Sequence, residues 1–110
     1  MPLEENRLYK LEYLPLSRRD MIEVVRYVGR ELGNPMAARR LAQELIEAGD
    51  HILDFPYANP VYIPIRPLKR EYRRIRVHNY IMFYWVDEGK KLVTIARVVY
   101  GKRDYEQLLD

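Results

Sequence analysis

The sequence predicts an α+β fold of two layers in the order β-α-α-β-β-β, with a helix hairpin packed on a mostly antiparallel four-stranded sheet. Three observations predict it. Apolar residues recur at helical spacing between positions 21 and 53, and runs dense in β-branched and aromatic residues fill positions 72 to 100. Between them, prolines at 56, 60, 64 and 67 forbid a regular element. Helices grouped together and strands in consecutive hairpins bury their apolar faces best as a helix layer on a sheet. The 110 residues, 48% hydrophobic, suit one domain spanning 1–110. A chain of this size buries about two-thirds of the surface that its unfolded form exposes, enough for a core without disulfides or metal.

The elements follow in order. Leu8 to Leu14 alternates loosely and reads as a first strand, ended by Pro15. Ser17 then precedes Met21, Val24, Val25 and Val28 at helical spacing, and Ser17 with Asp20 three residues on resembles a capping box. Leu32-Gly33 closes that helix, because glycine accepts the left-handed conformation of a helix end. Asn34-Pro35 starts the second helix with a cap and a first-turn proline. Its apolar stripe runs through Ala38, Leu41, Ala42, Leu45, Ile46, Gly49, Ile52 and Leu53. Phe55 to Leu68 is the connecting loop. Strands follow at Tyr72 to Val77, Tyr80 to Val86 and Leu92 to Tyr100, with turns at His78-Asn79 and Asp87 to Lys90. Gly101 to Leu109 forms a short turn or helix.

Composition removes several chemistries. There is no cysteine, hence no thiolate nucleophile and no disulfide scaffold, which agrees with a reducing compartment. Two histidines, His51 and His78, do not make a convincing metal site, so no metal and no small-molecule cofactor is expected. A lone serine, Ser17, and a lone threonine, Thr94, argue against Ser-His-Asp hydrolysis. The opening residues MPLEENRLYK lack an apolar signal segment and no run of 18 apolar residues occurs, so the expectation is a cytoplasmic protein without membrane contact.

Charge is more informative. Net charge is +3, yet Arg66, Lys69, Arg70, Arg73, Arg74 and Arg76 are opposed in their stretch only by Glu71. Such a cluster attracts phosphates or an acidic partner. On a strand, Tyr72, Arg74 and Arg76 share one face, while Arg73, Ile75 and Val77 share the other. Ile75 and Val77 mark the helix-covered face, which presents Arg74 and Arg76 on an open one. Arg97 interrupts the run Val93 to Val99, so it needs a carboxylate partner or an exit to that open face. Lys102 and Arg103 follow the last strand, with Tyr100 and Tyr105 nearby. The result is a basic, tyrosine-lined concavity. Lys69, Arg70, Arg73, Arg74, Arg97 and Lys102 are the nucleic-acid-binding candidates.

RNA can be cut there without a protein nucleophile, since its own 2′-hydroxyl attacks the adjacent phosphorus once it is oriented and the added charge is stabilised. Arg76 and Arg103 are the candidates to hold the phosphate, and Tyr100 or Tyr105 to move a proton. The plainer reading of such arginines is a solvated strand edge. His51, near a helix end, reads as structural and His78 as a turn residue. Trp85 and Phe83 read as packing, and Glu44 and Glu47 as a solvated helix face.

The segments RIRVHNYIMFYWV, from Arg74 to Val86, and VTIARVVYGKRD, from Val93 to Asp104, resemble the RelE/ParE family of toxins from bacterial type II toxin-antitoxin modules. The order of elements matches from Tyr9 to Leu109, and Tyr9 to Pro15 is similar to the family's first strand. The resemblance implies the RelE/ParE-like fold, a toxin that halts growth, and a cognate antitoxin partner that lays an acidic segment across the sheet face or the helix hairpin. It implies one of two targets. One branch of the family cleaves messenger RNA in the ribosomal A site, as a metal-independent endoribonuclease. The other poisons DNA gyrase and is not an enzyme. A degenerate member that only binds its partner is the alternative. Arg74 and Arg103 match basic positions of the ribonuclease branch, whereas Ile81 stands where that branch has an arginine and Leu109 falls near its C-terminal tyrosine. The tail Tyr100 to Asp104 is closer to the gyrase-directed branch.

Overall fold

Residues 7–110 are described by the computed structural model, and across them the elements come in the expected order. They are β1 (Lys10–Tyr13), α1 (Pro15–Arg26), α2 (Pro35–Asp54), β2 (Arg73–Val77), β3 (Tyr80–Asp87) and β4 (Leu92–Tyr100). A π-helical turn, Tyr27–Glu31, continues α1, and a 3-10 turn, Glu106–Leu108, lies in the tail. Pro15 corrects the reading of the first junction. It opens α1 instead of merely ending β1, since its missing N–H is an orphan donor there anyway. Ser17 therefore lies within the first turn, where its hydroxyl donates to Leu14 O at 2.8 Å, and Asp20 plays no part in capping. The second helix begins as expected. Gly33 has φ +62°, Asn34 Oδ1 accepts from Ala37 N at 3.1 Å, and Pro35 is the first helical residue.

The sheet order is β1-β4-β3-β2. Neighbours β2, β3 and β4 are antiparallel, and β1 runs parallel to β4 after the chain has crossed through both helices. The helix layer packs Leu41, Leu45, Ala48 and Ile52 against Val77, Met82, Tyr84, Val93, Ile95 and Val98. Ile46, counted with the α2 stripe, is instead half exposed.

The other sheet face holds a second core that the sequence did not announce. Tyr72, Ile81, Phe83, Ala96, Val99 and Leu109 are buried there beneath Tyr62, Leu68, Tyr105 and Leu108. The face expected to be open is thus covered at its centre by the chain's own proline-rich loop and tail. A β-bulge shapes this side: Phe83 pairs with Arg97 and Tyr84 with Ile95, which leaves Ala96 as the extra residue. Strict alternation from Val93 through Ile95 would send Arg97 into the helix-side core. The bulge turns it to the opposite face and returns Val98 to the helix side.

The loop from Phe55 to Leu68 is tied down at several points. Tyr84, fully buried, donates to Pro56 O at 2.7 Å and accepts from Asn59 Nδ2 at 3.2 Å. Tyr62 N donates to Tyr72 O at 2.8 Å, and Arg74 N to Pro60 O at 3.2 Å. Glu88, in the β3–β4 turn, accepts from Tyr57 Oη at 2.5 Å, from Tyr9 Oη at 2.8 Å and from Lys91 Nζ. Lys91 first, then the two phenols, hold the Glu88 carboxyl down at about 2. A depressed carboxyl stabilises the fold above its unfolded value, near 4.5, and loses that contribution as pH falls toward about 2. Urea midpoints of the wild type and Glu88→Gln are therefore expected to differ near neutrality and to converge between pH 4.5 and about 2. A gap independent of pH would show that the clip does not depend on ionisation.

Candidate nucleic-acid interface

Alternation along β2 places its arginines as strand geometry demands. Ile75 and Val77 face the helix-side core, while Arg74 and Arg76 are exposed on the other face. With Asn59, Pro60, Ile75 and Ile81 these two arginines line a cleft of about 270 Å³. The Arg74 guanidinium lies 5.7 Å from the Tyr62 ring centroid. Arg76 Nη1 reaches His78 O at 3.5 Å and lies against Gly101, where a Cβ would come within 3.3 Å of it. Gly101 N donates to Asn79 O at 2.7 Å, a close approach that brings the end of β4 to the β2–β3 turn. Exposed Lys102 and Arg103 follow at once, and Arg103 N donates to Tyr100 O at 3.1 Å. Arg76, Lys102 and Arg103 therefore gather at one end of the sheet. Among the described residues none of them, nor Arg74, is ion-paired to a carboxylate.

The remaining candidates go elsewhere. Arg97 donates through Nε and Nη2 to Asp20, at 2.7 and 3.0 Å, and through Nη1 to Leu108 O at 3.2 Å, so its guanidinium is turned inward. Arg73 fastens the loop, donating to Asn59 O at 2.7 Å with its charge 5.0 Å from the Tyr57 ring centroid. Arg70 stacks over half-buried Trp85 at 4.0 Å. Lys69 is exposed, and its backbone N–H donates to Asp110. Tyr100 lies on the helix side of the sheet, 6.0 Å from Tyr80 in a T-shaped pair. Tyr105 is half-buried, 5.3 Å from the Phe83 ring and 6.0 Å from Tyr62. Arg76 and Arg103 are thus brought to one region, while Tyr100 is on the opposite face and Tyr105 is wedged in the second core. Ile81 and Leu109 are themselves core residues. His51 packs on Phe55, and His78, with φ +54°, pairs with Glu44.

Two carboxylates that brace the basic loop escaped sequence reasoning. Glu106 accepts from Tyr62 Oη and Ile65 N, both at 2.7 Å, and Asp110 accepts from Tyr72 Oη at 2.8 Å and from Lys69 N. They hold the basic loop from within. The only signal was the recurrence of acids in the tail after Arg103. Burial, then Glu106, pushes the Tyr62 phenol up to about 12, and burial, then Asp110, does the same to Tyr72. Neither is a proton carrier near neutrality. Among the described residues no cluster of three His, Cys, Asp or Glu side chains could hold a metal, and no helix is long and apolar enough to cross a membrane.

A family model described as the ParE toxin of the type II toxin-antitoxin system, parDE, matches residues 11–105. Similar solved structures include the chromosomal ParDE system from P. aeruginosa, with a TM-score of 0.67, 14% identity, and coverage of 84% of this chain and 96% of that one. The archaeal RelE-RelB complex from Pyrococcus horikoshii OT3 follows with a TM-score of 0.58, 16% identity and coverage of 87% and 98%. The RelBE2 toxin-antitoxin complex from Mycobacterium tuberculosis has a TM-score of 0.56, 21% identity and coverage of 84% and 96%. At such identities these structures speak for the fold. No curated protein matches the sequence significantly. With its family model spanning nearly every element, and helices laid on one side of the same mixed sheet, this chain belongs to the ParE toxin family of type II toxin-antitoxin systems.

Proposed function

We propose that this toxin arrests growth by binding, with DNA gyrase as its target, and that it does not cut messenger RNA. One observation carries the reading: among the described residues no tyrosine is placed to transfer a proton beside the cationic group at the end of the sheet, and the one neighbouring imidazole, His78, is engaged by Glu44 of α2. Arg76 and Arg103 stand there, but Tyr100 faces the other way and the Tyr105 ring is held between Phe83 and Tyr62. Charge stabilisation alone can grip an anionic or acidic surface, whereas cleavage also needs a placed acid and base. A cognate antitoxin is the second partner. The similar structure from M. tuberculosis is a toxin-antitoxin complex, and that from P. horikoshii is a RelE-RelB complex. Here, Met21, Ile22, Val25 and Ile46 form an apolar groove along the helix hairpin, flanked by Arg26 and Arg30. That groove suits an acidic amphipathic helix.

The purified chain is expected to inhibit supercoiling by gyrase and to leave messages on translating ribosomes intact. Message cleavage without an effect on supercoiling overturns the reading. Arg76→Ala with Arg103→Ala removes two charge-assisted contacts, together worth about 3 kcal/mol, so inhibition should weaken about a hundredfold. Both side chains are exposed, and the double variant should keep its stability within about 0.5 kcal/mol. An undiminished inhibitor would move the target contact off this edge.

A further inference from the structure

A second site lies on the other side of the sheet. Where α1 gives way to the π-helical turn, a cleft of about 640 Å³ opens toward the ends of β3 and β4, lined by Glu23, Val24, Tyr27, Leu32, Tyr80 and Tyr100. The π turn is defined by Leu32 N donating to Tyr27 O at 3.1 Å, and such widened turns re-aim side chains and recur at functional sites. It places Tyr27, 50% exposed, across from Tyr100, 42% exposed, two large rings left to solvent among the described residues. Tyr80 lies at the base, half-buried, with its ring edge-to-face on Tyr100 at 6.0 Å. Its phenol is pushed upward by burial first and then by its neighbours Tyr27 and Tyr100. The only formal charge on the wall is Glu23, which forms no ion pair among the described residues.

We propose that this cleft receives the guanidinium group of an arginine presented by a protein partner. Ring faces carry negative potential and attract a flat cation, and a guanidinium stacks on them better than an ammonium does. Glu23 supplies the opposite charge, and Val24 and Leu32 offer apolar surface to the aliphatic stem. A nucleotide fits these walls worse. Its base could stack on Tyr27 or Tyr100, but its phosphate would then meet Glu23. The cleft lies across the sheet from Arg74 and Arg76, so it provides a contact distinct from the cationic edge.

The test is an aromatic NMR titration of the full chain with N-acetyl-arginine amide, N-acetyl-norleucine amide and uridine monophosphate as probes. The arginine probe alone is expected to shift the Tyr27, Tyr80 and Tyr100 ring resonances saturably. Glu23→Gln is expected to weaken it about tenfold, and Tyr100→Leu at least as much. Both positions are exposed, and unchanged resonances of Phe83 and Tyr72 in the second core report that each variant is folded. Equal shifts from the uncharged probe would make the cleft a plain apolar groove. Saturation by the nucleotide would make it a nucleic-acid contact. Either result, no saturable shift, or an unchanged affinity in Glu23→Gln overturns the proposal.

Discussion

Replacing Asp20 by Ala is expected to cost about 3–5 kcal/mol of folding free energy, the range for removing one partner of a buried ion pair. The Asp20 carboxylate accepts from Arg97 Nε at 2.7 Å, Arg97 Nη2 at 3.0 Å and the Val98 backbone N–H at 2.9 Å. The two side chains retain 11% and 17% of their exposure, so water cannot replace the lost acceptor well. The variant leaves the Arg97 guanidinium without its carboxylate, with Leu108 O as its remaining acceptor, and the Val98 amide without an acceptor, at the junction of α1, β4 and the tail. Two further variants separate charge from shape. Asp20→Asn keeps one acceptor oxygen and should lose less, about 1–3 kcal/mol. Asp20→Leu combined with Arg97→Met removes both charges and should recover most of the stability, because a well-packed apolar pair can match a buried ion pair. Urea denaturation of the three variants checks this. A loss below about 1 kcal/mol for Asp20→Ala would mean that the pair is no anchor.

That pair also shows what the sequence could and could not reveal. Periodicity located both helices and the last three strands, and Gly33-Asn34-Pro35 marked the hairpin turn, because helix ends and strand faces are local properties. The faces of Arg74, Ile75, Arg76 and Val77 were legible for the same reason. Arg97 was not. One extra residue at Ala96 reverses its side, and a bulge leaves no periodic mark in a run as uniformly apolar as Val93 to Val99. Asp20 then lay 77 residues from its partner, disguised as part of a capping box. The second core was hidden too, since its cover comes from a proline-broken loop and a short tail whose packing follows no period. Tyr100 and Arg103 are close in sequence yet serve different surfaces, because Tyr100 still belongs to the strand and Arg103 to the turn after it.

The tail sets the second large expectation. Leu109 is 2% exposed among Tyr72, Ile81, Phe83, Ala96 and Val99. Truncating a buried leucine costs about 2–5 kcal/mol. Here the loss should fall at the lower end, about 2–3 kcal/mol, since a terminal segment can peel away without opening the helix-side core. Leu45→Ala, at a site with no exposure in that other core, gives the contrast of a global loss. Hydrogen exchange distinguishes them. Leu109→Ala should expose the amides of Lys69 and Leu109 first, because Asp110 and Glu106 O accept from them, and leave β3 and β4 protected. Uniform loss of protection would show that the tail is integral to the whole fold. If the tail does leave alone, Glu106 and Asp110 leave with it, and the loop of Arg66, Lys69 and Arg70 loses its internal counter-charges. The chain's own carboxylates then stop competing for the basic surface, so Leu109→Ala should bind an acidic partner more tightly while folding less stably.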